Sequence, residues 1–298
     1  MSFAQAYTKL ASVALRLVAV GACGIVLAGC DTLSSLNPFD KSETYKPSIV
    51  ADVPGDQLYN DGLARIQKSD YEGAAKKFSA LEKQYPSSEW SRKALIMTAY
   101  ANYEGGLYDD AIVASKRYLQ QYPTTTDAAY AQYLLASSYY GQIPDITRDQ
   151  EASQRAMLAL QELVERYPRS EYAADAKQKL QVARDQLAGK EVEIGRFYLQ
   201  KRNYSGAINR FRTVVGEYQT TRHVEEALER LTEAYMAMGI VNEAQTAAAV
   251  LGHNFPDSPW YKDAYNLLQK GGVEPREDSQ SWISKAFRGV PQVAQKTG

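Results

Sequence analysis

Residues 71–86, Tyr-Glu-Gly-Ala-Ala-Lys-Lys-Phe-Ser-Ala-Leu-Glu-Lys-Gln-Tyr-Pro, constrain what this chain can fold into more than any other stretch. Ala74, Phe78, Leu81 and Tyr85 fall on one stripe at helical spacing. Ala74 is small enough for a second helix to come close, and Phe78 fills the space one turn later. Pro86 lacks an N–H and ends the helix. The same logic returns four more times along the chain, with the proline stop in three of them. A helix pair with such a stripe cannot bury it alone, so pairs must stack on their neighbours.

The matches follow the tetratricopeptide pattern, in which Leu-Gly and then Tyr mark a first helix, and Ala, Phe and Pro mark a second. Repeat 1 supplies Gly62, Ala74, Phe78 and Pro86, and repeat 2 supplies Ala99, Ala111 and Pro123. Repeat 3 supplies Leu135, Ala136 and Tyr139, then an insertion at 141–148, then Ala156, Leu160 and Pro168. Repeat 4 has Ile194, Gly195, Tyr198, Ala207 and Phe211, with Gln219 in place of the proline. Repeat 5 has Leu231, Tyr235, Ala244, Leu251 and Pro256. One match is weak; five in tandem predict an all-α, right-handed tetratricopeptide superhelix of about five helix pairs. Residues 170–200 have helical composition broken only by Gly189, which predicts one unusually long helix, or two nearly collinear ones, before repeat 4. Trp260, Ala264, Leu267 and Leu268 predict a capping helix, ended by Gly271-Gly272.

Five regions follow. Residues 1–29 form a lipoprotein signal peptide and 30–54 a lipidated N-terminus and tether. Repeats 1–3 occupy 55–168, repeats 4–5 with the cap occupy 169–270, and 271–298 is a largely disordered tail. Within the tail Trp282, Ile283, Ala286 and Phe287 make a short amphipathic piece, either a dock for a partner or a frayed end.

The signal peptide rests on Lys9 and Arg16 ahead of an uncharged, mostly apolar run at 17–27, too short for a membrane span. Leu27-Ala28-Gly29-Cys30 then resembles the lipobox of bacterial lipoproteins, with Cys30 as the acylated first residue of the mature chain. Cys23 lies inside the removed segment. Each buried CH₂ of an acyl chain contributes roughly 0.8 kcal/mol, so more than one chain makes a stable anchor. Asp31 stands next to Cys30, where an acid favours inner-membrane retention in enteric bacteria, so the sequence leaves the sorting open. The tether has an r.m.s. reach of roughly 25–30 Å.

Charge and composition exclude several classes. With 34 basic against 35 acidic side chains, the net charge of −1 argues against a binder that neutralises phosphates, hence no nucleic-acid partner. Cleavage before Cys30 removes two bases and no acid, taking the charge to −3. The two cysteines both lie near the N-terminus, so no disulfide frame is possible in the repeats. The chain has no G-x-S-x-G, H-E-x-x-H, phosphate loop or C-x-x-C. His223 and His253 sit at turns and suit capping or packing, and Glu225 and Glu226 suit a helix start. The reading is therefore not an enzyme, with no metal and no cofactor beyond the lipid on Cys30.

First helices line the concave face of such arrays. The inward positions of repeats 1–3 include Tyr59, Tyr100, Tyr103, Tyr130, Tyr133 and Tyr140, which predict a groove for an extended, aromatic-bearing peptide. Half of the six are expected exposed and the rest packed between helices. Arg210, Arg212 and Arg222 are candidates for pairing with acidic groups of a partner domain, or simply a solvated face.

Taken together, the lipobox, tether, five repeats, four of them with aromatic-Pro closures, and long helix resemble the BamD family, lipoproteins of the outer-membrane β-barrel assembly machinery. The nearest local signals are Glu193-Ile194-Gly195-Arg196-Phe197-Tyr198, Ala207-Ile208-Asn209-Arg210-Phe211 and 220–228, and the likeness spans about 30–270. The resemblance implies a lipid-anchored scaffold on the periplasmic face of the outer membrane. Its N-terminal repeats would receive the C-terminal signal of unfolded outer-membrane proteins. Its C-terminal repeats would dock on periplasmic domains of the central barrel subunit, with accessory lipoproteins along the side. A pilotin-like lipoprotein for secretin or pilus assembly, and an envelope cell-division protein, share the lipobox and repeats and are the rival readings.

Overall fold

The computed structural model describes residues 53–86, 88–146 and 148–288. They hold twelve helices and no strand. In chain order these are α1 (Gly55–Gln67), α2 (Tyr71–Gln84), α3 (Glu89–Glu104), α4 (Tyr108–Gln121), α5 (Ala128–Gly141) and α6 (Glu151–Arg166). Then come α7 (Ala173–Gln200), α8 (Tyr204–Glu217), α9 (Val224–Ala237), α10 (Val241–Asn254), α11 (Pro259–Lys270) and α12 (Trp282–Phe287). Consecutive helices from α1 to α11 pack in antiparallel succession, giving five pairs and the cap α11.

Local chemistry sets the helix ends. Asp70 caps α2 by accepting the Gly73 N–H at 3.0 Å, and Asn203 caps α8 by accepting the Gly206 N–H at 3.0 Å. At the other end, Tyr85, Tyr122, Tyr167, Tyr218 and Phe255 all leave helical geometry at φ between −126° and −139°. Tyr218 does so although Gln219 follows it instead of proline. The Gln219 side chain donates to the Gly216 carbonyl at 2.6 Å and satisfies one of the open acceptors of the last turn. The missing proline therefore does not soften this helix end.

The stripe read from residues 71–86 is the core of its repeat. Ala74, Phe78 and Leu81 have no exposed surface, as is true of Ala207 and Phe211 in repeat 4. Burying each phenylalanine contributes roughly 2–3 kcal/mol. A Cβ on Gly62 would lie 2.5 Å from the Phe78 ring, and one on Gly195 2.6 Å from Phe211. Glycine at the Leu-Gly position is what lets the ring come so close to the facing helix.

First helices of neighbouring pairs touch one another: α1 with α3, α3 with α5, α5 with α7, and α7 with α9. Second helices do not touch within the described residues, so α2, α4, α6, α8 and α10 are splayed. The array is thus wrapped with its first helices inside.

The long helix is a single one of 28 residues, α7, and it runs on as the first helix of repeat 4. The insertion in repeat 3 is a loop held by Gln150, whose amide donates to the carbonyls of Asp145 and Arg148.

The chain beyond Gly271 does not behave as a largely disordered tail up to Arg288. Residues 274–281 run along α10, and α12 packs on α8 and α10 with Ile283 fully buried. The amphipathic piece therefore docks on its own chain, neither on a partner nor frayed, because Trp282 and Ile283 find an apolar gap between the splayed second helices. The signal peptide, Cys23, Cys30, Asp31 and the tether as far as Asp52 lie outside the described residues, as does the segment after Arg288.

Candidate functional site

Five of the six predicted groove tyrosines come together. Tyr100 and Tyr103 project from α3 one turn apart, and Tyr130, Tyr133 and Tyr140 from the same side of α5. Tyr172, just ahead of α7, joins them. The ring centroids of Tyr133 and Tyr172 lie 4.9 Å apart in a stacked arrangement, those of Tyr130 and Tyr172 5.2 Å apart, and those of Tyr130 and Tyr133 6.5 Å apart. Tyr59 stands apart: it packs on Phe78 and Trp90 at 5.5 Å each. All six are half-buried, rather than half of them exposed.

Lys179 organises the cluster, and the tyrosine count alone did not point to it. Its Nζ donates to the Asp175 carboxylate at 2.5 Å and to the Tyr133 hydroxyl at 3.0 Å. It also sits over the Tyr133 ring at 4.8 Å and the Tyr140 ring at 5.9 Å. Burial pulls the Lys179 pKa down, but the bonds to Asp175 and Tyr133 outweigh it and the pKa is raised. Burial pushes Asp175 up, but hydrogen bonds from Lys179 and Tyr133 outweigh it and its pKa is lowered. The pair is internally neutral.

Burial also pushes the hydroxyl of Tyr130 well above its ordinary range, with Tyr100 and Tyr172 nearby adding to the shift. Tyr172 rises to about 12, again through burial first and then through its bond with Glu171. These hydroxyls stay protonated at any physiological pH. The surface therefore offers flat apolar rings and neutral hydroxyl donors, which suits aromatic side chains and the carbonyls of an extended backbone.

The three arginines do not form one surface. Arg210 turns toward α7 and pairs with Glu191 at 3.2 Å. Arg212, two residues on and so on another side of α8, lays its guanidinium over the Trp282 ring at 4.7 Å. Arg222 is exposed in the turn before α9, its Nε 3.5 Å from His223 Nε2. His223 is half-buried at the N-cap position, although its side chain makes no capping bond, and His253 is exposed in the last turn of α10.

A second polar cluster was hidden from sequence reasoning. Glu226 accepts both guanidinium nitrogens of Arg196 from α7, with its Nε at 2.5 Å. Glu229 is buried beside Arg230, but Nε and Oε2, 3.3 Å apart, are too poorly aligned to bond. Burial therefore dominates and raises Glu229 to about 7, although Arg230 opposes it. Arg230 also pairs with Glu233 at 2.8 Å and covers the Trp260 ring at 5.4 Å. In the sequence Glu-Glu-Ala-Leu-Glu-Arg looks like a solvated helix face; only the approach of α7 and α11 encloses it.

Among the described residues no group of three His, Cys, Asp or Glu side chains could hold a metal ion. No helix there is long and apolar enough to cross a membrane.

Residues 51–251 match the family model YfiO, described as an outer membrane lipoprotein. The chain belongs to this family. It is 46% identical over 231 residues to the outer membrane protein assembly factor BamD of Caulobacter vibrioides, covering 77% of this chain and 76% of that one. It is 39% identical over 246 residues to BamD of Rickettsia prowazekii, covering 83% and 93%. Among solved structures it is similar to the TPR2AB domain of yeast Sti1 in its pHSP90 complex, at a TM-score of 0.36 and 12% identity, covering 73% and 85%. The protein is thus an outer-membrane lipoprotein and a homologue of assembly factors that are not enzymes. Membership decides between the assembly-factor reading and the pilotin-like and cell-division rivals, and it answers the sorting question that Asp31 left open.

Proposed function

We propose that this protein is a lipid-anchored scaffold of outer-membrane β-barrel assembly, fixed through Cys30 to the periplasmic face of the membrane. Repeats 1–3, residues 55–168, receive the aromatic C-terminal segment of an unfolded outer-membrane protein. The carrying observation is the cluster of Tyr100, Tyr103, Tyr130, Tyr133 and Tyr140 with Tyr172, held by Lys179 at 3.0 Å from the Tyr133 hydroxyl. Residues 169–270 dock on periplasmic domains of the central barrel subunit, with Arg210, half-buried beside Glu191, and the exposed Arg222 as partners for an acid, and accessory lipoproteins bind alongside. The work is binding and hand-over; no bond is made or broken.

Binding of a fluorescent peptide ending in the C-terminal aromatic residue of a barrel protein tests the groove. Tyr100→Ala and Tyr133→Ala are each expected to weaken it by about 1–2 kcal/mol, as truncating an aromatic contact at an interface does. Unchanged affinity in a double variant that still melts cooperatively would sink the assignment. Arg210→Glu, assayed against the barrel subunit's periplasmic domains, tests the second face, and the mass of the mature N-terminal peptide tests Cys30.

A further inference from the structure

Repeats 1–2 and repeats 4–5 share one register with no insertion between them. Gly62 corresponds to Gly195, Phe78 to Phe211, Tyr108 to Val241 and Gln121 to Asn254, always at the same spacing. Even the left-handed turn glycines correspond, Gly106 at φ 71° and Gly239 at φ 74°. Each half leaves a gap between its splayed second helices, α2–α4 in one and α8–α10 in the other.

The C-terminal gap is filled by the chain's own strap, residues 274–288. Gln245 and Gln269 donate to Glu274 at its start, and four further side chains hold the rest. Arg212 lies over the Trp282 ring, and the Tyr235 hydroxyl accepts the Trp282 indole N–H at 3.3 Å. Glu243 accepts the Ser281 hydroxyl at 2.7 Å, and Thr246 Oγ1 accepts the Asp278 N–H at 3.2 Å. In the shared register these four positions are Ser79, Asn102, Asp110 and Val113. All four line a groove of about 650 Å³ between α2 and α4, which no described residue fills. Two apolar side chains stand open in it, Val113 at 64% exposure and Leu107 at 39%.

Charge says what kind of segment fits. Asp110 keeps the carboxylate that takes a hydroxyl at Glu243. Glu72 pairs with Lys76 at 2.6 Å and Glu82 with Arg117. Lys83, which also lines the groove, makes no ion pair among the described residues and stands where the other half has Gly216. We propose that the α2–α4 groove docks one short amphipathic helix of a partner protein. That helix brings a hydroxyl cap to Asp110, an apolar turn to Val113 and Leu107, and an acidic residue toward Lys83. The chain's own strap is already seated on α8 and α10, so the occupant is a separate segment. This site lies on the second helices, away from the tyrosine cluster, and does not depend on it.

A synthetic peptide of residues 274–288, the one sequence seen to fit such a gap, serves as the probe, titrated by fluorescence anisotropy against the full-length protein. Saturable binding is expected in the range of about 10–500 μM, as for a small, single-turn contact. Val113→Arg is expected to weaken it at least about tenfold, and Asp110→Ala and Lys83→Glu each about threefold, the size of exposed polar and ionic contacts. Val113 is exposed, so the variant is expected to keep the wild-type melting temperature, and the two polar variants test the groove independently. No binding at millimolar peptide overturns the proposal. So does affinity untouched by all three changes, which would mean exchange at the α8–α10 gap. A wild-type dimer in sedimentation that Val113→Arg dissolves would also overturn it, assigning the groove to a second copy.

Discussion

Two glycines in repeat 4 separate packing from propensity. Gly195 faces Phe211, and a methyl there would sit 2.6 Å from the ring. Gly216 lies in the last turn of α8 with nothing within 4 Å of an added Cβ. Gly195→Ala is expected to destabilise by roughly 1–3 kcal/mol, because a fully buried ring in a close-packed core has nowhere to move. Gly216→Ala is expected to stabilise by up to about 1 kcal/mol through the smaller backbone entropy of the unfolded chain. Urea midpoints of the two variants against wild type check both signs at once. The same scale shows the limit of reading tyrosines as a class. Tyr59 and Tyr133 have the same residue type and similar helix positions, yet one packs on Phe78 and Trp90 and the other stacks with Tyr172 beneath Lys179.

At the scale of elements, two junctions carry testable energetics. The first is where α7, α9 and α11 meet around Glu229, faced by Arg230, Glu233, Asp263 and Glu226. Burial raises Glu229 to about 7 from an ordinary 4.5, so the folded state holds a proton that the unfolded chain gives up. Stability from this group is fully present below about pH 4.5 and is lost as pH rises through 7. The loss is on the order of 3 kcal/mol. Glu229→Gln is expected to remove that slope and to be more stable than wild type at pH 8, measured by urea unfolding at pH 5 and pH 8. A steeper slope in the variant would refute the assignment. The second junction is the strap. Ile283 is fully buried in a helix of only six residues, so Ile283→Ala is expected to cost about 2–4 kcal/mol and release α12. Hydrogen exchange at α12 and along 274–281 should then approach that of an open chain, while α2 and α4 keep their protection.

The whole molecule is a stack of near-neighbour contacts, so damage should stay local. Phe78 packs in a core made of α1, α2 and α3, and Phe211 in a separate one made of repeats 4 and 5 with the cap and strap. Phe78→Ala is expected to remove roughly 3–5 kcal/mol from the first repeats. Exchange protection in α9–α11 should survive it; equal loss at both ends would show one cooperative unit instead. The stacking also fixes which faces are free. First helices touch across repeats and form the inner, tyrosine-bearing surface, whereas second helices diverge and leave the gaps that α12 fills in one half and nothing described fills in the other.

The sequence by itself determined the elements and their order. Periodicity, small-residue positions and the aromatic C-caps act within a few residues of one another, so five pairs, one long helix and a cap were legible in it. The tyrosine groove was legible as a spacing, since residues one turn apart on a first helix must share a face. What only the tertiary structure decided depends on atoms distant in sequence. Lys179 reaches Tyr133 across 46 residues and Trp282 reaches Tyr235 across 47, while Glu226 and Glu229 become buried only when α7 and α11 close over them. No local pattern encodes such meetings, because hydrophobic stripes fix which faces pack but not which polar side chains end up facing each other once they do.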